Sequence, residues 1–235
     1  MSAYSGPEIA NDGLVLCLDA ANTKSYTGTG AVWNDLSGNG RNSTLVNSPV
    51  YSSDNLGLLV FDGVNNSASS PTITTSSEGI TSSIIVRARA WGLASCPCAN
   101  TQGIWDLSTG YWNMFSLMSN TSSGPFFAVY SSDITENRKS VNFGTTQLNT
   151  WMYLTCHYNN ISKTLSSYRN GNLISTAVLQ DGITVTAQFL FARYVRHCGN
   201  CAANIDISYF DFYNRALSAA EIQQNFNATR GRYGI

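Results

Sequence analysis

Ile205-Asp206-Ile207-Ser208-Tyr209-Phe210-Asp211-Phe212-Tyr213-Asn214-Arg215-Ala216-Leu217-Ser218 is the stretch that decides the fold. Its first nine residues are β-branched or aromatic at most positions and alternate with polar ones, the period of a half-buried strand. Regular alternation puts Ile205, Ile207 and Tyr209 on one face and Asp206, Ser208 and Phe210 on the other. The strand runs into LSAAEIQQNFNATRG, which reads as a short helix. Ser218 stands at the N-cap and Glu221 three residues later, the spacing of a capping box, with Gly231 just beyond the expected end.

Working outward, similar apolar runs recur between Gly, Asn, Ser and Pro clusters. They are Leu14–Asp19, Gly57–Phe61, Ser83–Trp91, Tyr111–Met118, Phe126–Tyr130, Trp151–Tyr158, Thr164–Arg169 and Ile183–Ala192. Many short strands at such spacing, with one helix, predict an all-β antiparallel two-sheet sandwich. Arg169-Asn170-Gly171-Asn172 reads as a hairpin turn, because Asn and Gly tolerate positive φ. No repeat or linker divides the 235 residues, so one domain over 1–235 is expected, with 1–12 as an N-terminal arm.

Composition narrows the function classes. Hydrophobic residues make up 43%, enough for a sizeable core, while charged residues are only 11% against roughly 25% in ordinary soluble domains. With a net charge of −1 there is no positive field to displace counterions, which argues against nucleic acid as a partner. No run approaches the roughly 18 apolar residues that span a bilayer, so no membrane partner is expected. The N-terminal MSAYSGPEIANDG lacks the basic and apolar regions of an export signal.

Four stretches in order resemble the laminin-G-like jelly rolls of the concanavalin A-like lectin/glucanase superfamily, in the version found in bacteriophage (cyanophage-like) virion proteins. They are 13–20 with the loop 33–40; Val60-Phe61-Asp62-Gly63; 151–155 leading to 168–171; and 207–218 running into Glu221-Ile222 and Arg232-Tyr233-Gly234. In this pattern Trp33, Asp35, Asp62, Ser218 and Glu221 are fold-fixing residues: Trp33 and Asp35 pin a long loop, and the helix covers an end or edge of the sandwich. The resemblance implies a virion structural protein displayed on capsid or tail. Other virion proteins and host-surface polysaccharide would be its partners, and homo-oligomers its form. It would be made in the host cytoplasm without a signal peptide. A secreted or cell-surface carbohydrate-binding module is the alternative.

Glucanases of this superfamily use carboxylates at fixed separation on one strand. Only Glu8, Glu78, Glu136 and Glu221 are available, none in a Glu-x-Asp-x-x-Glu pattern, and Glu221 is engaged as a cap. Asp206 and Asp211, five apart, face opposite sides of an ideal strand. No nucleophile elbow, phosphate loop or zinc-protease helix is present, and His157 and His197 read as packed polar residues. The expectation is a protein without enzymatic activity.

Cys17 and Cys156 sit inside apolar runs and read as small buried hydrophobes. Cys96-Pro97-Cys98 and Cys198-Gly199-Asn200-Cys201 are close pairs that would form disulfides, hold a structural zinc, or stay free. Asp62 with Asn65 is a candidate for calcium, without a dense carboxylate cluster. For a ligand, alternation in Ser83–Trp91 places Arg87, Arg89 and Trp91 on one face, and Tyr111 and Trp112 follow, with Trp105 and Phe115 as further aromatics. Aromatic faces stack on sugar C–H groups and guanidinium groups hold anionic substituents, so Arg87, Arg89, Trp91, Tyr111 and Trp112 form the candidate glycan platform.

Overall fold

The computed structural model describes residues 8–92, 101–109, 113–132, 135–194 and 201–235. In chain order the strands are β1 (Leu14–Asp19), β2 (Val32–Trp33), β3 (Ser43–Val46), β4 (Val50–Ser52), β5 (Leu58–Asp62) and β6 (Ser67–Thr74). Then come β7 (Gly79–Ala88), β8 (Gln102–Ser108), β9 (Met114–Asn120), β10 (Gly124–Tyr130), β11 (Arg138–Asn142) and β12 (Trp151–Asn159). The last are β13 (Thr164–Arg169), β14 (Asn172–Val178), β15 (Thr186–Phe191), β16 (Arg193–Tyr194), β17 (Cys201–Ala202) and β18 (Asn204–Tyr213). Helix α1 spans Ala219–Thr229.

Among the described residues the strands form the small pair β16-β17 and two eight-stranded antiparallel sheets. One runs β14-β13-β12-β7-β18-β5-β4, with β1 also on β18; the other runs β11-β10-β9-β8-β15-β6-β3-β2. The main core fills the space between them, where Trp33, Trp105, Phe115, Phe127, Phe189, Phe191 and Phe210 are fully buried. Trp105 makes edge contacts with Phe189 and Phe210 at centroid distances of 5.4 and 6.4 Å. Removing each such ring from water contributes about 1.5–3 kcal/mol. The aromatics Trp105 and Phe115 therefore belong to the core and not to a ligand face.

β18 departs from the alternation expected of it. Opposite β7 its register shifts between Ile207 and Tyr209, so Ser208 is the extra residue of a bulge. Ile205 and Ile207 then share the core side with Phe210 and Phe212, while Tyr209 turns to the outer face. The bulge is also where β5 and β1 meet. β5 pairs with Asn204–Ile207 and β1 with Tyr209–Tyr213, and the Ser208 carbonyl accepts from Ala20 N–H at 2.8 Å. One consequence is that Asp206 and Asp211 lie on the same outer face, not on opposite ones.

The helix is not on an end or edge. Phe226 packs 5.6 Å from Tyr153, and Ile222 joins Tyr213 and Leu217, so α1 covers the outer face of the first sheet. The physical reason is that this face is itself apolar, with Cys17, Leu58, Ile85, Trp151, Tyr153 and Tyr209 on it. Such a surface is buried by a helix with a matching stripe. Ser218 accepts from Glu221 N–H and Glu221 returns the bond to Ser218 N–H at 2.8 Å, which completes the capping box. The chain before β1 docks on the same helix: Ala10 N–H donates to Asn225 at 2.8 Å and Tyr213 donates to the Ala10 carbonyl.

Several strands lie outside the expected set, namely β2, β3, β4, β6, β8, β11, β14, β16 and β17. β6 contains Pro71, which breaks a ladder in most strands. Here Ser70 and Pro71 stand opposite the single residue Phe189, whose N–H donates to Ser70 Oγ at 3.0 Å, and β3 pairs only with Ser67–Ser69. The hairpin at Asn170-Gly171 has φ 51 and 77, a two-residue turn between paired Arg169 and Asn172.

Candidate functional site

The expected ligand platform is split by the fold. Arg87 and Arg89 lie on the outer face of the first sheet, and both are committed to Asp206, whose side chain is fully buried. Arg87 donates from Nε at 2.8 Å to Asp206 Oδ2 and lies over the Trp151 ring at 4.9 Å. Arg89 Nη2 sits 2.8 Å from Asp206 Oδ1 outside hydrogen-bond alignment, a Coulombic contact. Two guanidinium groups on one buried carboxylate stabilise it against its desolvation cost.

Trp91 does not share that face. β7 ends at Ala88, the Arg89 N–H turns to the Asn204 carbonyl, and the chain leaves the sheet, so alternation no longer governs where Trp91 points. The indole packs, half-buried, against the main core. Tyr111, Trp112, Cys96, Cys98 and Cys198 lie outside the described residues.

Trp91 instead forms the apolar wall of an open hollow of about 520 Å³. Its other walls are the β9–β10 turn, with Thr121, Ser122, Ser123 and Gly124, and the end of β11 and the segment that follows, with Asn142, Gly144, Thr145 and Thr146. Both walls are held from behind. Asn120 Oδ1 accepts from Ser122 N–H, Ser123 N–H and Ser123 Oγ at 3.0, 2.7 and 2.9 Å. Asn142 Oδ1 accepts from Gly144 N–H at 3.0 Å, while Ser167 and Arg169 donate to the Asn142 and Thr145 carbonyls. The hydroxyls are thus presented by fixed turns, and among the described residues no charged side chain lines the hollow. Trp91 Nε1 is buried without an acceptor among the described residues.

The fold-fixing residues are engaged by backbone. Asp35 accepts from Cys17, Ser37 and Arg41 N–H at 3.0, 2.9 and 3.0 Å, which ties the loop after Trp33 to β1. Asp62 Oδ1 accepts from Val64 and Asn65 N–H, so that carboxylate caps its own turn. Among the described residues no three His, Cys, Asp or Glu side chains converge on a point where a metal ion would sit. Cys201 is disulfide-bonded, with its partner sulfur outside the described residues. Cys17 and Cys156 are buried free thiols, and burial pushes Cys17 up to about 12.

The outer face also carries a network that sequence reading did not find. Asp211 is fully buried, accepts from Ser83 N–H at 2.8 Å and Tyr209 hydroxyl at 3.0 Å, and burial raises its pKa to about 7. His157 is pushed down to about 4 by burial. A titratable dyad needs contact between its members. Asp211 and His157 each answer to different neighbours, and Glu221 is held at about 2 by Arg215, which donates from Nη1 at 3.2 Å.

A model of the family described as the concanavalin A-like lectin/glucanases superfamily, laminin-G type, matches residues 62–223. The chain belongs to that superfamily. The resemblance in the segments 13–40 and 224–234 lies outside the matched residues. No curated protein matches the chain. Among solved structures, the binding domain of Paraclostridial Mosquitocidal Protein 1 is similar at TM-score 0.70 and 17% identity, covering 92% of this chain and 52% of that one. The botulinum neurotoxin serotype D ligand-binding domain in complex with N-acetylneuraminic acid gives 0.69 and 14%, covering 93% and 52%. Trypanosoma rangeli sialidase in complex with sialic acid gives 0.67 and 15%, covering 95% and 34%. At such identities the likeness establishes the jelly-roll fold. The chain spans about half the length of the first two neighbours and about a third of the sialidase.

Proposed function

We propose that this jelly roll is a non-catalytic glycan-binding protein displayed on a bacteriophage virion, on capsid or tail, where it attaches the particle to host-surface polysaccharide. The observation that carries the glycan reading is the hollow beside Trp91. An indole wall facing fixed Ser, Thr and Asn side chains provides a stacking surface for sugar C–H groups and partners for hydroxyls. Two neighbours of the same fold are described in complex with sialic acids, which supports a carbohydrate partner. The lining differs in charge from what a sialic acid carboxylate needs, because Arg87 and Arg89 are taken by Asp206. A neutral sugar fits better.

The non-catalytic part rests on the carboxylates. Asp206 and Asp211 share a face, yet both are fully buried and engaged, and neither reaches the Trp91 hollow. The virion assignment rests on the resemblance of the four sequence stretches and on a surface poor in charge. Assembly with other virion proteins as a homo-oligomer is part of the same proposal.

The test is a glycan array probed with wild-type protein and with Trp91→Ala. Binding to a neutral surface polysaccharide that falls at least tenfold in the variant, with the fold retained, is the expected result. Unchanged binding by Trp91→Ala rules out this hollow. Mass spectrometry of purified virions tests the location, and absence from the particle would overturn it. A specific observation favours the second reading, a secreted or cell-surface module. Cys201 is in a disulfide, and such bonds persist in oxidising surroundings.

A further inference from the structure

The loop before β2 and the turn into β4 enclose a second hollow, of about 420 Å³. Tyr26, Tyr51 and Leu45 form its apolar part, and Gly28, Thr29, Gly30, Ala31, Ser48 and Pro49 complete it. Tyr26 and Tyr51 meet at a centroid distance of 5.6 Å, tilted by 55°. The rim is built at a conformational cost. Gly28 and Gly30 have φ 91 and 92, and a β-carbon on Gly28 would press on the Tyr51 ring at 3.3 Å. Asn47 and Ser48, which are not glycine, are also held at φ 57 and 52. Left-handed conformations are unfavourable for residues that carry a β-carbon, and two in succession mark a rim held in place by its surroundings.

Those surroundings are visible. The Tyr26 hydroxyl donates to the Gly30 carbonyl at 2.9 Å, Asn66 donates to the Asn47 carbonyl at 2.7 Å, and Asn47 donates to the Asn65 carbonyl at 2.9 Å. Among the described residues no charged side chain lines the hollow. Beside it on the chain, Val32 and Val50 are 50% and 65% exposed. An aromatic pair, a polar backbone rim, neutral walls and room for about one ring match a ligand with an apolar face and a hydroxyl edge. A proline-bearing peptide would meet the same aromatics but leave the rim hydroxyls and carbonyls unpaired, which costs affinity.

The placement gives this hollow its meaning. It lies at the β3-β2 edge of the second sheet, whereas the Trp91 hollow lies among β9, β10 and β11 at the opposite edge. We propose that the Tyr26–Tyr51 hollow is a second binding site for a neutral sugar ring, which makes the domain bivalent along one polysaccharide or between two. The proposal rests on the glycan reading of the Trp91 hollow for its ligand class and goes beyond it in site, stoichiometry and avidity. Two linked weak sites hold a repeating ligand far more tightly than either alone.

The experiment titrates ¹⁵N-labelled full chain with the methyl glycosides of glucose, galactose, mannose and N-acetylglucosamine and follows amide shifts. Two separate sets are expected, one over 28–31 and 48–51, the other over 121–124 and 142–146. Tyr51→Ala removes the first set and spares the second; Trp91→Ala does the reverse. Ala31→Phe fills the hollow from an exposed position without deleting a core contact, so it tests the site even if Tyr51→Ala unfolds. On a polysaccharide-coated surface each single variant is expected to dissociate at least tenfold faster than the wild type. Shifts confined to the Trp91 set overturn this inference and leave the glycan reading standing. Shifts at neither overturn both. Shifts over 28–31 with a proline-rich peptide and none with the glycosides overturn the carbohydrate assignment.

Discussion

Asp211 illustrates how a single buried side chain makes folding depend on pH. Its carboxyl, buried beneath α1 with two donors for company, ionises near pH 7 when folded and near 3.8 otherwise. Between those values the folded protein holds a proton that the unfolded chain has lost. The Asp211 contribution to stability therefore falls as pH rises from about 4 to about 7 and is level above, by a few kcal/mol in the limit. His157 works against it. With its pKa depressed from 6.5 to about 4, it contributes stability that is present above pH 6.5 and lost as pH falls through the same window. Asp211→Asn keeps an oxygen for Ser83 N–H and removes the charge. The variant is expected to be more stable than wild type at pH 8 and equal to it at pH 4, by denaturant titration at both. It should also unmask the His157 slope, with stability rising from pH 4 to 6.5. A variant less stable than wild type at pH 8 would contradict the assignment.

At the scale of the element, helix α1 and strand β18 form one device. The strand presents Tyr209, Asp211 and Tyr213 outward because the Ser208 bulge reset its phase, and the helix brings Phe226 and Ile222 down onto that face. Ser218 starts the helix where Leu217 ends the descent from the sheet, and Arg215 pairs with the capping Glu221. Ser218→Ala removes one of the two reciprocal cap bonds. The expected cost is about 1 kcal/mol, read in calorimetry as a loss of about 2–4 °C in Tm. A Tm unchanged by this substitution would mean that packing alone seats the helix. The cap was legible because it depends on two residues three apart. The bulge was not, because an extra residue in a ladder is defined by the partner strand, and Ser208 looks like any polar position of a regular strand.

Across the whole molecule, two buried layers share their strands. β7, β12 and β18 each give one face to the main core and the other to the cluster under α1. Neither layer can be exposed without disturbing the other. A single calorimetric transition is expected, with van't Hoff and calorimetric enthalpies in agreement, and two resolved transitions would refute the coupling.

The amino-acid sequence by itself determined the class of the fold, the strongest strands, the capped helix and the hairpin at Asn170-Gly171. Those features depend on period, turn chemistry and neighbours within a few residues. Strands such as SASSPTIT and NLISTAV were illegible, since their place in a sheet comes from backbone pairing and not from an apolar stripe. The site was half legible. Trp91 stood out as an aromatic at the end of a strand, but its companions are the Ser, Thr, Asn and Gly of ordinary turns, indistinguishable in sequence from turns that bind nothing. Only the tertiary structure decided that Arg87 and Arg89 would spend their charge on Asp206 while Trp91 turned the other way. The reason is geometric: alternation predicts a face only while the strand lasts, and β7 ends at Ala88.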